Sequence, residues 1–217
     1  YVWSYVNEVA NAVLESHPGK RIQCTAYHTY RLPPQNMDKL SPNIVVTITQ
    51  HRSSFHDPAN RKEFTELLEA WKEKLPDPKH HILISDKYRD GAPWPAYYPH
   101  HAAWNLKLLN GLSLGDKIET FRTTRGGIDS MPTMHLNLYV TSRMWWDADQ
   151  DVDALLDDYY AKFYGSAREE MKAVIEFAEA NWAKLKESSE LIDELLSLTT
   201  AARAKVDPAS IYGQRVA

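Results

Sequence analysis

NIVVTITQ, residues 43–50, is the stretch on which the fold turns. It is almost wholly β-branched, and such a run reads as a strand buried on both faces, as parallel sheets contain. Upstream, the Pro-rich loop RLPPQNMDKLSP (31–42) separates it from a shorter strand at about Arg21 to Tyr27. Before that, Tyr1 to Leu14 carries Val2, Val6, Val9, Val13 and Leu14 near a 3.6-residue period, and Pro18-Gly19 ends this helix. Downstream, Asp57-Pro58 sets an N-cap and a first-turn proline for a helix with Phe64, Leu67, Leu68, Trp71 and Leu75 on one side. HHILISD (80–86) is the third strand, and the loop KYRDGAPWPAYYP follows it. A helix from about His100 to Asn110 stops at Gly111, and the fourth strand is placed at about Lys117 to Arg122.

MPTMHLNLYVTSRMWW (131–146) is ambiguous by periodicity alone. Leu136, Leu138 and Val140 alternate like a strand, while His135, Leu138, Ser142 and Trp145 fall at helical spacing. The remainder is helical. Asp149 or Asp151 caps a helix with Val152, Leu155, Leu156, Tyr159 and Phe163, stopped by Gly165. Ser166 and Glu169 form a capping box for a long final helix whose stripe runs Met171, Val174, Ile175, Ala178, Trp182, Leu185, Ile192 and Leu196.

Strands alternating with helices imply parallel βα units and an α/β fold. Four such units make half of a (β/α)8 TIM barrel, whose usual size is about 250 residues. Half a barrel alone leaves two strand edges to cover. The missing half is therefore expected upstream of Tyr1, in keeping with a chain that opens inside a helix without Met. The division expected is a half barrel over 1–147 and a C-terminal helical extension packed on it over 148–217. An open four-stranded α/β sheet is the alternative.

Composition narrows the function classes. Net charge is −4 with no run of Lys and Arg, so nothing marks a surface for nucleic acid or an anionic membrane. No apolar stretch nears the roughly 20 residues that span a bilayer. The one cysteine, Cys24, excludes an intramolecular disulfide and reads as a small strand hydrophobe. Seven Trp and 12 Tyr stand out, because several fall in expected loops.

Parallel α/β folds bind ligands where strands end and βα loops begin. Those positions hold Tyr27, His28 and Tyr30 after the first strand, and Gln50, His51, Arg52 and His56 after the second. Asp86, Tyr88 and Trp94 follow the third, and the fourth offers Arg122, Arg125 and Glu119, the last within the strand as placed. Aromatic rings pack on the C–H faces of sugars, while charged and amide groups bind hydroxyls. The arginines would suit an acidic sugar. Each residue also has a structural reading: Asp86 as a turn cap, Glu119 pointing to solvent, and Arg52 in an ion pair. The adjacent pairs His80-His81 and His100-His101 lack the i, i+4 spacing of a helical zinc site. His28, His51 and His56 could meet in space though their spacing does not require it, and no metal or cofactor is expected.

Four segments carry a resemblance: YVNEVANAV (5–13), HPGKRIQCTAYHTYRLPP (17–34), NIVVTITQHR (43–52) and RMWWDADQDVDALLDDYYAKFYGSA (143–167). Together they resemble a bacterial family with a domain of unknown function, related to the α-glucuronidase and hexosaminidase glycoside hydrolases. The resemblance implies a TIM barrel in a secreted or periplasmic protein of polysaccharide-degrading bacteria. It also implies that residues 131–146 form the last barrel helix. It makes Asp86, with Tyr88 beside it, or more approximately Glu119, one carboxylate of a glycosidase site. The general acid would come from the upstream half of the same barrel. Glycoside hydrolysis needs two carboxyl groups, about 5 Å apart for retention or roughly 6.5–9.5 Å for inversion. A carbohydrate substrate is the expected partner. A non-catalytic carbohydrate-binding barrel, an interaction domain and a metal-dependent hydrolase are the rival readings.

Overall fold

The computed structural model describes residues 1–88, 96–120 and 131–216, without the side chains of 131–133 and Trp182. It is an α/β structure. Strands β1 (Ile22–Ala26), β2 (Ile44–Gln50), β3 (Ile82–Tyr88) and β4 (Gly115–Thr120) form one parallel sheet in the order β1-β2-β3-β4. Every residue of β2 is buried, as its β-branched composition requires of a central strand. β4 starts two residues before the expected Lys117; the expected end at Arg122 lies outside the described residues.

The chain divides into two compact units, residues 1–89 with 108–120 and residues 90–107 with 121–217. The first unit holds the sheet with helices α1 (Val2–Ser16), α2 (Pro58–Lys74) and the single-turn α3 (Pro78–His81). Asp57 caps α2 by accepting from the Ala59 N–H at 2.8 Å, with Pro58 at the first helical position. The same Asp-Pro signal at Asp77-Pro78 starts α3, which takes in His80 and His81, expected to open the third strand.

Side chains alternate across a strand, so register sorts the sheet into two faces. Val46, Ile48, Ile82 and Ile84 share one face and are fully buried. Trp3 and Ala10 of α1 and Phe64, Leu67, Leu68 and Trp71 of α2 are buried as well. The other face is polar over most of its length: Gln23 and Thr25 on β1, Thr47 and Thr49 on β2, Ser85 and Lys87 on β3, Lys117 and Glu119 on β4. Gln23 Nε2 donates to Thr47 Oγ1 at 2.7 Å along it.

The second unit contains most of α4 (Pro99–Leu109), then α5 (Met131–Trp146), α6 (Val152–Tyr164), α7 (Arg168–Leu185), α8 (Ser189–Arg203) and α9 (Ile211–Val216). α5 settles the ambiguous stretch as helix: Leu136, Val140 and Met144 are buried at i, i+4 and i+8, while Leu138 is only half-buried. These pack with Leu155, Leu156, Tyr159, Tyr160 and Tyr164 of α6 and Met171, Val174, Ile175 and Ala178 of α7. The expected long final helix is broken into α7 and α8, because Ser188 accepts from the Leu191 N–H at 3.3 Å and restarts the chain as a new N-cap. Ile192 and Leu196 are therefore on α8 and exposed, and the Trp182 side chain lies outside the described residues. The capping box at Ser166 does not form. A 3-10 turn over Gly165–Ala167 makes Ala167 the N-cap of α7 and turns Ser166 Oγ to the Lys205 carbonyl at 2.8 Å.

Candidate functional site

The loop after β1 is anchored by two tryptophans of the helical core. Trp3 and Trp71 meet edge to face, centroids 4.7 Å apart. Trp3 Nε1 donates to the Tyr30 carbonyl at 2.9 Å and Trp71 Nε1 to the Arg31 carbonyl at 3.0 Å. A loop held by buried indoles is positioned by the core rather than by its own contacts. Arg31 then pairs with Glu63 of α2.

Above this anchor His28 sits at φ 46°, a left-handed conformation that few non-glycine residues adopt, with Tyr27 edge-on to it at 3.9 Å. On the neighbouring strand the chain leaves β2 through a 3-10 turn, Arg52–His56, fastened by Ser54 Oγ donating to His51 O at 2.7 Å. Asn60 of α2 donates to Ser54 O at 3.0 Å. Between the two loops lies an open cleft of about 320 Å³ at the C-terminal ends of β1 and β2. Its polar and aromatic lining includes Tyr27, His28, Arg31, Gln50, His51 and Glu63.

Tyr27, His28 and Gln50 line this one cleft, whereas Tyr30 contributes its backbone to the anchor. Arg31, Asn60 and Glu63 were missed. The available signal was the i, i+3 spacing of Asn60 and Glu63 on the first turns of α2, which puts both on one helix face.

Arg52, Asp86 and Tyr88 lie elsewhere. Asp86 and Tyr88 share the apolar face with Ile84, and Arg52 and Tyr88 are fully buried. Asp86 Oδ1 accepts the Lys87 N–H at 2.7 Å and Oδ2 the Arg52 N–H at 3.1 Å. The Arg52 guanidinium lies 3.5 Å from Asp86 Oδ2 and 2.6 Å from Oδ2 of Asp116, a β4 residue that sequence reading did not single out. Of the two readings open for Arg52, the structure gives the ion pair.

Glu119 is on the polar face, since it pairs in register with Lys87, the residue after Asp86. Asp86 and Glu119 therefore point to opposite sides of the sheet. Glu119 is 3.0 Å from Lys117 Nζ and 3.7 Å from Lys87 Nζ. Its hydrogen bond to Lys117, with the charge of Lys87 behind it, holds its carboxyl below the usual glutamate range. Lys87 Nζ also lies 5.8 Å from the Tyr27 ring centre, so Tyr27, Lys87 and Glu119 lie along one face toward the strand ends.

Trp94, Arg122 and Arg125 lie outside the described residues. Among the described residues no three His, Cys, Asp or Glu side chains are grouped to hold a metal ion, so His28, His51 and His56 do not make such a cluster. No helix among them is long and apolar enough to cross a membrane.

A family profile described as a domain of unknown function, DUF4838, matches residues 1–176. The chain belongs to the DUF4838 family. No curated protein and no solved structure matches it. The DUF4838 match takes in the whole sheet, the cleft and α5 to α6, and ends within α7; α8 and α9 lie beyond it.

Proposed function

We propose that this DUF4838 domain is the sugar-handling half of a (β/α)8 glycoside hydrolase that is secreted or periplasmic, closed by an upstream half of the same barrel. The observation that carries the reading is the cleft of Tyr27, His28, Gln50 and His51 at the C-terminal ends of sequentially ordered parallel strands. Its ring face, amide and imidazoles match the C–H faces and hydroxyls of a sugar. A strained His28 is the kind of backbone outlier that clusters at ligand sites.

Glu119 takes the part of nucleophile or base. It stands at a strand end on the polar face, and its lysines keep it ionised, as either role requires. The upstream half supplies the acid. Asp86, on the opposite face from Glu119, holds the ends of β2 and β3 in place through Arg52. The test is turnover of oligosaccharides, acidic and amino sugars included, by wild type, Glu119→Gln and Asp86→Asn. Loss by orders of magnitude in Glu119→Gln with binding kept supports the reading; full activity in that variant refutes the role of Glu119.

One observation favours a second reading, a non-catalytic carbohydrate-binding barrel: both nominated carboxylates are already paired with cations. Sugar binding without turnover in wild type would select it.

A further inference from the structure

We propose that the second unit carries a separate binding site for a ring-bearing carboxylate, at the cleft between α5, α6 and α9. This goes beyond the sugar-cleft reading and does not rest on it.

The site is built by the way α9 docks. Gly165, at φ 58°, ends α6, and a Cβ there would lie 2.8 Å from the Tyr212 ring, so only glycine lets Tyr212 of α9 sit against the turn. A Cβ on Gly213 would lie 2.2 Å from the Asp207 carbonyl, which fixes the entry to α9 equally closely. Held this way, α9 lays Arg215 over α6: its guanidinium is 4.3 Å from the Phe163 ring centre, and Nη1 donates to the Phe163 carbonyl at 3.0 Å. Tyr159 stacks on Phe163, centroids 5.0 Å apart and 13° from parallel, and Tyr139 packs on Tyr159 at 5.0 Å.

The result is an open cleft of about 350 Å³ lined by His135, Tyr139, Tyr159, Lys162, Phe163 and Arg215. No carboxylate is among these lining residues. Lys162 is paired with Asp158 at 2.8 Å on the surface, but among the described residues Arg215 has no acidic partner. A guanidinium resting on an aromatic ring is weakly hydrated and keeps N–H edges for an anion, which a planar carboxylate matches with two parallel hydrogen bonds. The aromatic wall favours a ring on that carboxylate over a bare inorganic anion. Sugar acids and aromatic acids share this chemistry. Arg215 comes from beyond the residues that match the family profile, so the site depends on the C-terminal helices.

The test is NMR titration of the whole chain with glucuronate and benzoate, and with glucose and benzyl alcohol as neutral counterparts, following His135 and the tyrosine rings. We expect saturable shifts at His135 and Tyr139 with one or both acids, weakened about tenfold or more in Arg215→Gln. Glucuronate alone would identify a sugar-acid site and benzoate alone an aromatic-acid site. Arg215→Lys, which keeps charge but loses the planar fork, should weaken binding severalfold and covers the case in which Arg215→Gln disturbs folding. No shift with either acid, equal binding by the neutral counterparts, or undiminished binding in both variants would overturn the proposal.

Discussion

The backbone N–H and the guanidinium of Arg52 converge on the same oxygen of Asp86, at 3.1 and 3.5 Å, with both side chains sealed from solvent. Asp116 approaches the same guanidinium from β4 at 2.6 Å. One cation thus serves two carboxylates, drawing the strands β3 and β4 and the exit of β2 together. In a dry site this is stable only while all partners are present.

Arg52→Met should therefore cost about 3–5 kcal/mol, because it strands two buried carboxylates. Arg52→Lys should recover only part of this, since an ammonium cannot bond both acids in plane. Urea unfolding midpoints measure both. A loss under about 1 kcal/mol in Arg52→Met would show that water or a neighbouring cation replaces the guanidinium.

The pair also sets a pH window. Burial pushes the Asp86 carboxyl up to about 6, against the pull of Arg52 and two backbone N–H groups. Its folded value lies above its ordinary 3.8, so the folded state holds a proton that the unfolded state has released. This contribution to stability is complete below about pH 4 and is lost as pH rises through about 6. Melting curves from pH 4 to 7 should fall over that interval in wild type and flatten in Asp86→Asn.

His100, at the start of α4, opens a second window. Its Nδ1 meets Glu179 of α7 at 2.5 Å, its Nε2 meets Asp153 of α6 at 3.0 Å, and its backbone N–H donates to Glu179 at 2.9 Å. The hydrogen bond to Glu179 comes first among the causes that raise its pKa to about 9, opposed by partial burial and joined by Asp153. The imidazolium form is favoured on folding, so this stabilisation is full below about pH 6.5 and lost as pH rises through 9. With the ring partly open to water the effect is modest. Unfolding midpoints should decline between pH 6.5 and 9, and His100→Gln should remove most of that decline; an unchanged slope would mean the ring is not the titrating group.

Trp71→Phe keeps the core ring but removes the N–H that holds the Arg31 carbonyl. A cost of about 1 kcal/mol from the lost hydrogen bond is expected, above the change in ring volume. Because Arg31 lines the first cleft, the sugar affinity proposed for that cleft should fall more in this variant than in Leu67→Met, a volume-conserving control on the same helix. Equal affinities would show that the loop holds itself.

Much of the fold was legible in local signals. The β-branched run at Ile44–Gln50 had to be a central strand, and Asp57-Pro58 had to start a helix, because these rest on backbone conformation and nearest neighbours. Residues 131–146 were not legible by period, since Leu138 fits both patterns and only packing left it half-buried. The same limit applied to Ser166. Its capping box is a local option that lost to a turn set by Gly165 and by the docking of α9.

For the candidate site the division is sharper. Sequence by itself determined the parallel βα pattern, and with it the strands on or after which Tyr27, His28, Gln50, Asp86 and Glu119 lie. Only the tertiary structure decided which face each one serves. The parity of strand pairing sends Asp86 into the apolar side with Arg52 and Asp116, and Glu119 to the polar side with Lys87. A shift of one residue in the β3–β4 register would have put both on the same face, and no local preference of either carboxylate encodes that choice.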